Sequence, residues 1–298
     1  MPIINRAIPP MQNFVDRIRT GKVVPVISHE TLADLVLGGR KALVTGYADY
    51  VHYPLDDREN LLKMAKYVSI NNATWDNWAL KADYLNFVKN HVYAQAQAAG
   101  VATNLLEEAA AEVDSLTLSI FADRLGYPRF TQGTDDPLLI LAGLPLPIYI
   151  TTGYHDFIEA ALRRAGKEPR SEVCRWHRGL DSIPSVFVNN YEPSAAEPLV
   201  FHLLGRDDRP DSLVLTEDDY LQLIMAIAQE NGKATDAIPD RVRRAMADSA
   251  LMILGYDLAG WAFRVLFWGL IKPSPVKQTG FFSLQVVPDE KEKKYLQD

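Results

Sequence analysis

The sequence predicts an α/β fold: a mostly parallel sheet flanked by helices, with a helical subdomain inserted after the first strand–helix unit. Three observations predict it. Short apolar strands alternate with helices towards both ends of the chain. Residues 53–144 carry helical periodicity and no convincing strand. And Leu144–Arg163 passes from a short strand, Pro147–Thr151, through Thr151-Thr152-Gly153 directly into a helix with apolar Phe157, Ile158, Ala161 and Leu162. In open parallel sheets, ligands sit beyond the carboxyl ends of the strands, where helix N-termini aim N–H groups at anions. The Thr151–Gly153 turn is therefore expected to wall any such site.

In chain order, Pro9-Pro10 breaks the N-terminal segment and Met11–Thr20 reads as a short helix ended by Gly21. Val23–Ile27 is the first strand; Pro25 within it predicts an edge or bulged position. Ser28-His29-Glu30 follows as its turn, with Ser28 the N-cap of a helix over Thr31–Leu37. This turn lacks a GxGxxG pattern. Arg58–Ile70, Trp75–Ala98 and Leu105–Leu125 are the helical runs of the middle region, and Trp75, Trp78, Leu85 and Phe87 are expected in its core. Gly126–Asp136 is a polar loop, and Asp136-Pro137 starts a helix.

Glu172–Trp176 and Leu199–Leu204 are further strands, separated by an irregular Pro- and Asn-rich stretch, and Ser212–Leu215 is a short one. Thr216-Glu217-Asp218-Asp219 has the capping-box arrangement and opens a helix over Tyr220–Gln229. Arg241–Asp248 is a helix, Leu251–Leu254 a strand, and Gly255-Tyr256-Asp257 its turn. A helix over Leu258–Ile271 and a strand over Phe281–Val287 complete the pattern. Residues 1–298 read as a single domain containing the 53–144 insertion.

Composition narrows function. The 298 residues carry a formal charge of −7 without any Lys/Arg cluster, so the electrostatic footprint of a nucleic-acid binder is missing. The single cysteine, Cys174, excludes an internal disulfide framework and a Cys-based zinc site. The six histidines show no ligand spacing. No signal peptide and no run near 20 apolar residues is seen, so a cytoplasmic protein without membrane association is expected.

Four segments carry a resemblance: PVISHETLAD, PIYITTGYHDFIEAAL, VFHLLG with DSLVLTEDDY, and LMILGYDL. In this order and spacing they resemble the bacterial SIR2-like (sirtuin-related) family, whose versions run roughly GAGxS, TTNYD, HG before a segment like SLVLTEEDY, and GYSxxD. The resemblance implies a Rossmann-like domain that uses NAD as substrate or ligand, without a metal. Ser28, His29, Thr151, Thr152, Gly153, Tyr154, Gly205, Gly255 and Tyr256 would bind the nicotinamide nucleotide or an ADP-ribose derivative. Relatives deacylate lysine or hydrolyse NAD in antiphage defence, often as oligomers or fused to a sensor or effector. The chain is accordingly expected as the N-terminal module of a longer protein.

The departures fall where the chemistry lies. Ser28-His29-Glu30 puts side chains and a carboxylate where family glycines approach the pyrophosphate, which should repel phosphate. The family's asparagine falls on Gly153 and its catalytic histidine on Leu204. His202, two residues earlier on the same strand face and about 6–7 Å from Leu204, is the replacement candidate for a general base. His155 or Asp156 would then hold it or the ribose. The structural alternative makes His202 a hydrogen-bonded histidine under the sheet and His155 a helix-start surface residue. His29-Glu30 as an acid–base pair, Asp207-Asp208 with Asp211 as a metal site, and Cys174 as a nucleophile are further candidates. Each has a bland counterpart: diverging neighbours, a solvated turn and a buried small residue. NAD hydrolysis, nucleotide sensing without catalysis and an oligomerisation scaffold all remain open from sequence. Lysine deacylation is disfavoured, because many deacylating sirtuins carry a zinc ribbon of four cysteines.

Overall fold

The computed structural model describes residues 11–72, 74–127, 135–229, 237–256 and 281–284. Six strands form one sheet: β1 Val23–Ile27, β2 Ile148–Thr151, β3 Arg170–Val173, β4 Leu199–His202, β5 Ala250–Leu254 and β6 Phe281–Leu284. Their order is β3-β4-β2-β1-β5-β6, and every neighbouring pair is parallel. All residues of β1, β2 and β4 are buried. That is why these strands read as unbroken apolar runs: a parallel sheet is covered on both faces.

Pro25 does not put β1 at an edge. The strand is central, between β2 and β5. The ladder explains how. Ser28 N–H donates to Leu254 O on β5, while Ile27 O accepts from Thr152 N–H on the β2 side. By alternation Pro25 faces β2, and pairing with β2 begins only at Val26↔Ile150. The missing N–H thus falls just before that ladder starts, while pairing with β5 covers all five residues.

The helices are α1 Met11–Arg19, α2 His29–Val36, α3 Arg40–Tyr50, α4 Leu61–Asn71, α5 Asn77–Ala98, α6 Thr103–Ala111, α7 Leu118–Arg124, α8 Pro137–Gly143, α9 Phe157–Arg164, α10 Glu217–Ala228 and α11 Asp240–Asp248. Between α2 and β2 the chain makes only helices among the described residues. The capping chemistry is as read: Ser28 accepts from Thr31 N–H, Asp136 caps α8, and Thr216 with Asp219 closes a capping box.

Several sequence expectations need correction. Leu105–Leu125 is two helices, because the N–H and hydroxyl of Ser115 both take the Glu112 carbonyl and close a turn. Ser212–Leu215 is not a strand. A 3-10 turn, Pro210–Ser212, leads into a buried extended stretch whose Val214 bonds to Leu204 O and to the Tyr154 hydroxyl. The expected aromatic stripe is only half core: Leu85 and Phe87 on α5 are buried, whereas Trp78 on α5 is 53% exposed and Trp75, which precedes the helix, 40%. Helix α3 carried no expectation. The proposed helix Leu258–Ile271 and the end of the last strand lie outside the described residues.

Helix α5 ties the helical layer to the carboxyl edge of the sheet. Its Tyr84 meets Tyr154 edge-on at 6.2 Å. Its Lys81 is fully buried, with Nζ 3.5 Å from both Asp219 Oδ2 and Asp211 O, and 5.1 Å from the Trp176 ring centre. Burial pulls the Lys81 pKa down against the opposing pull of Asp219 and Asp211.

Candidate functional site at the carboxyl edge of the sheet

The strand order reverses at β1, with β2 on one side and β5 on the other. A crevice forms outside the strand ends at such a reversal. Here the turns after β1, β2 and β5 are joined side chain to backbone. Ser28 Oγ donates to Gly255 O at 2.8 Å, and His29 N–H donates to Thr152 Oγ1 at 3.0 Å. Thr152 Oγ1 lies 3.1 Å from the Tyr256 hydroxyl, and Ser28 Oγ lies 3.1 Å from Thr31 Oγ1. Gly255 has φ +72°, and a Cβ there would stand 1.4 Å from Thr31 Oγ1. Ser28, His29, Thr152, Gly255 and Tyr256 therefore converge. Thr151 lies beneath them, donating to Ile27 O and accepting from Gly153 N–H. Tyr154 points inward to Val214 O. Gly205 sits one turn away, where a Cβ would stand 2.2 Å from Ser212 O.

The Ser28–Glu30 turn is less hostile to anions than its sequence implies. Arg40, at the start of α3, pairs with Glu30 at 2.9 Å and answers its charge. Its side chain is 45% exposed. Burial, then Arg40 and His155, lower the His29 pKa to about 4, so His29 is neutral at pH 7. His29 stacks on Tyr154 rather than acting with Glu30.

Gly153 is not a simple deletion of a side chain. A Cβ at that position would stand 2.4 Å from Leu32 Cδ1 of α2, so Leu32 occupies the space an asparagine would need. His202 is fully buried beneath this turn. Its Nδ1 lies 3.1 Å from Gly153 O and its Nε2 2.7 Å from Glu159 Oε1. Both partners are acceptors, so both ring nitrogens must carry protons to be satisfied. Burial opposes that charge, but Glu159 outweighs it and raises the His202 pKa. A histidine held this way offers no nitrogen to accept a further proton.

His155 has a different setting. It is buried and its Nδ1 lies 3.0 Å from Asp207 Oδ2. Asp207 follows β4, and its N–H donates to Tyr154 O at 2.7 Å, which locks the two turns together. Both residues line a cavity of about 420 Å³ under the helical layer, with Trp78, Leu85, Lys89, Asp114 and Leu116 among its walls. Asp207 Oδ1 is buried without a hydrogen-bond partner, as is Asp156 Oδ1. Burial opposes ionisation of Asp207, but the bond and charge of His155 hold its pKa below the usual carboxylate range. Asp156 goes the other way, raised by burial and then by Asp207. A carboxylate oxygen in want of donors suits the hydroxyls of a sugar.

The remaining candidates separate. Asp208 pairs with Arg206, apart from the His155 contact of Asp207. Among the described residues no group of three or more His, Cys, Asp or Glu stands where it could hold a metal. Cys174 is buried, its N–H on His202 O. No helix among the described residues is long and apolar enough to cross a membrane. Sequence reasoning missed Arg40, Leu32 and the pairing roles of Asp207 and Glu159. Arg40 carried a faint signal: it is the first cation after the turn, reached through Gly38-Gly39.

The fold and this edge define an open parallel α/β protein whose strand order reverses at β1. A family model described as a SIR2-like domain matches residues 147–298, just over half of the 298 residues. The chain belongs to the SIR2-like family, an NAD-related nucleotide-binding family. No curated protein matches it.

Proposed function

We propose that the chain is the NAD- or ADP-ribose-binding module of a bacterial antiphage defence system. The observation that carries the binding reading is the bonded set of turns at the strand reversal, Ser28–Gly255 and His29–Thr152–Tyr256, with Arg40 beside it. The set ties three strand ends together at the reversal, where a ligand is expected in such sheets, and Arg40 offers a cation to its phosphates. Membership in the SIR2-like family supports the nucleotide class, and the resemblance of the four sequence segments to bacterial defence members of that family supports the setting. In this reading the nicotinamide nucleotide or ADP-ribose derivative is the small-molecule partner, and an oligomer or a joined sensor or effector receives the signal.

Hydrolysis of NAD is the enzymatic form of this reading. It needs a base beside the ribose, which neither Gly153 nor Leu204 supplies. A catalytically silent sensor or an oligomerisation scaffold is the alternative, favoured by the space Leu32 takes at Gly153. Calorimetric titration with NAD and with ADP-ribose, with nicotinamide measured in the same samples, separates the three. Saturable heat with either nucleotide is expected. Neither heat nor nicotinamide would leave only the scaffold.

A further inference from the structure

We infer that His155, positioned by Asp207, is the base of a hydrolytic centre in the cavity under the helical layer, and that this centre acts at a glycosidic carbon. The inference rests on the nucleotide reading above, which supplies the substrate.

The geometry has three parts. Asp207 Oδ2 engages Nδ1 of His155, which fixes the tautomer and turns Nε2 into the nitrogen available to a water. Asp207 is itself held, because its N–H is bonded to Tyr154 O, one residue before His155. The dyad is thus a rigid bracket across the turns after β2 and β4. Third, the pair lines a space of about 420 Å³, large enough for a sugar and a ring but too small for a whole dinucleotide.

The charge of the walls selects the reaction class. Asp114, Asp207 and Asp208 line the cavity; Asp208 is answered by Arg206, which leaves Asp114 and Asp207 as the carboxylates that set its charge. Lys89 is the counter-charge, and its ammonium is committed to Val113 O at 2.6 Å. Asp207 Oδ1 remains without a donor. Such a wall repels phosphates and the anionic transition states of acyl or phosphoryl transfer. It stabilises a transition state that gains positive charge, as an oxocarbenium-like sugar does. A nucleotide at the crevice therefore keeps its pyrophosphate near Arg40 and presents its far ribose to the cavity.

For NAD the step balances with water alone. The bond from ribose C1′ to the pyridinium nitrogen breaks, and its electron pair leaves with nicotinamide. The water oxygen bonds to C1′, and its proton passes to His155 Nε2 and then to solvent. The products are ADP-ribose, nicotinamide and a proton. No oxidant or second substrate is needed.

The test uses the full chain, with NAD hydrolysis followed as nicotinamide release and ADP-ribose binding measured separately by calorimetry. His155→Ala and Asp207→Asn are each expected to lower kcat by about 10²–10⁴-fold, and in His155→Ala the ADP-ribose Kd changes little. Added imidazole should restore part of the His155→Ala rate, and Asp207→Glu should retain more activity than Asp207→Asn. A purely structural role would give neither rescue. His155→Gln serves if the alanine variant misfolds. ADP-ribose binding without nicotinamide release by the parent chain overturns the dyad and leaves the binding reading intact. Release that survives His155→Ala also overturns it. Absence of ADP-ribose binding overturns both.

Discussion

His202 Nε2 stands 2.7 Å from Glu159 Oε1 with both side chains fully buried, so a closed ion pair lies beneath the turn that bears Gly153. Ser171 donates to the same Glu159 oxygen at 2.6 Å. Burial opposes charge on both groups, yet each holds the other ionised: His202 titrates above its ordinary 6.5 and Glu159 below its ordinary 4.5. His202 contributes stability that is fully present below pH 6.5 and is lost as pH rises through its folded value. Glu159 contributes stability present above pH 4.5 and lost as pH falls through its lowered folded value. The pair is expected to stabilise most between those limits. Urea midpoints from pH 5 to pH 9 should fall for the parent and flatten in the double variant His202→Leu/Glu159→Leu. Either single variant should cost about 3–5 kcal/mol, because it strands one buried charge.

The clearance at Gly153 makes a second prediction. Gly153→Asn, which restores the family's residue type, should destabilise the fold by about 1–3 kcal/mol, since Leu32 holds the space. Leu32→Ala in the same chain should relieve much of that loss. Thermal melts of the two single variants and the double variant measure the coupling.

Lys81 and Asp219 predict an asymmetry. Lys81→Met keeps the packing against Trp176 and leaves Asp219 its bonds from Leu215 and Thr216 N–H, so the cost should be only about 1–2 kcal/mol. Asp219→Ala removes those bonds, breaks the capping box and strands a buried lysine, and should cost about 3–5 kcal/mol. Denaturant unfolding of both variants checks the difference.

Much of this architecture is legible in the residues because it is local. Parallel strands buried on both faces read as apolar runs, and caps such as Ser28, Asp136 and Thr216 announce helix starts. What escaped depends on partners distant in sequence. The placement of Pro25 follows from where the β1–β2 ladder begins, which no local signal carries. Ser115 closes a turn inside a helical pattern. The turns that bear Ser28, Thr152 and Tyr256 stand together at the strand reversal, as the order of the motifs implies. That order could not show that Glu30 is answered by Arg40, or that Leu32 fills the space at Gly153. Nor could it distinguish His202, with two acceptors around it, from His155, with one nitrogen left for the cavity. Those differences lie in side-chain environment, and spacing is blind to them.

In the proposed binding mode, Arg40 is the cation that meets the phosphates of the nucleotide. The most direct measurement is a calorimetric titration of ADP-ribose into the parent chain and into Arg40→Ala, at one fixed low salt. The parent should give a saturable isotherm, and the variant should bind about tenfold or more weakly, the loss of roughly 1.5–3 kcal/mol for one charge-assisted bond. Adding Glu30→Gln to the variant should recover part of the affinity by removing the carboxylate that Arg40 answers. An isotherm unchanged by Arg40→Ala, or no heat in the parent, would contradict nucleotide binding at the strand reversal.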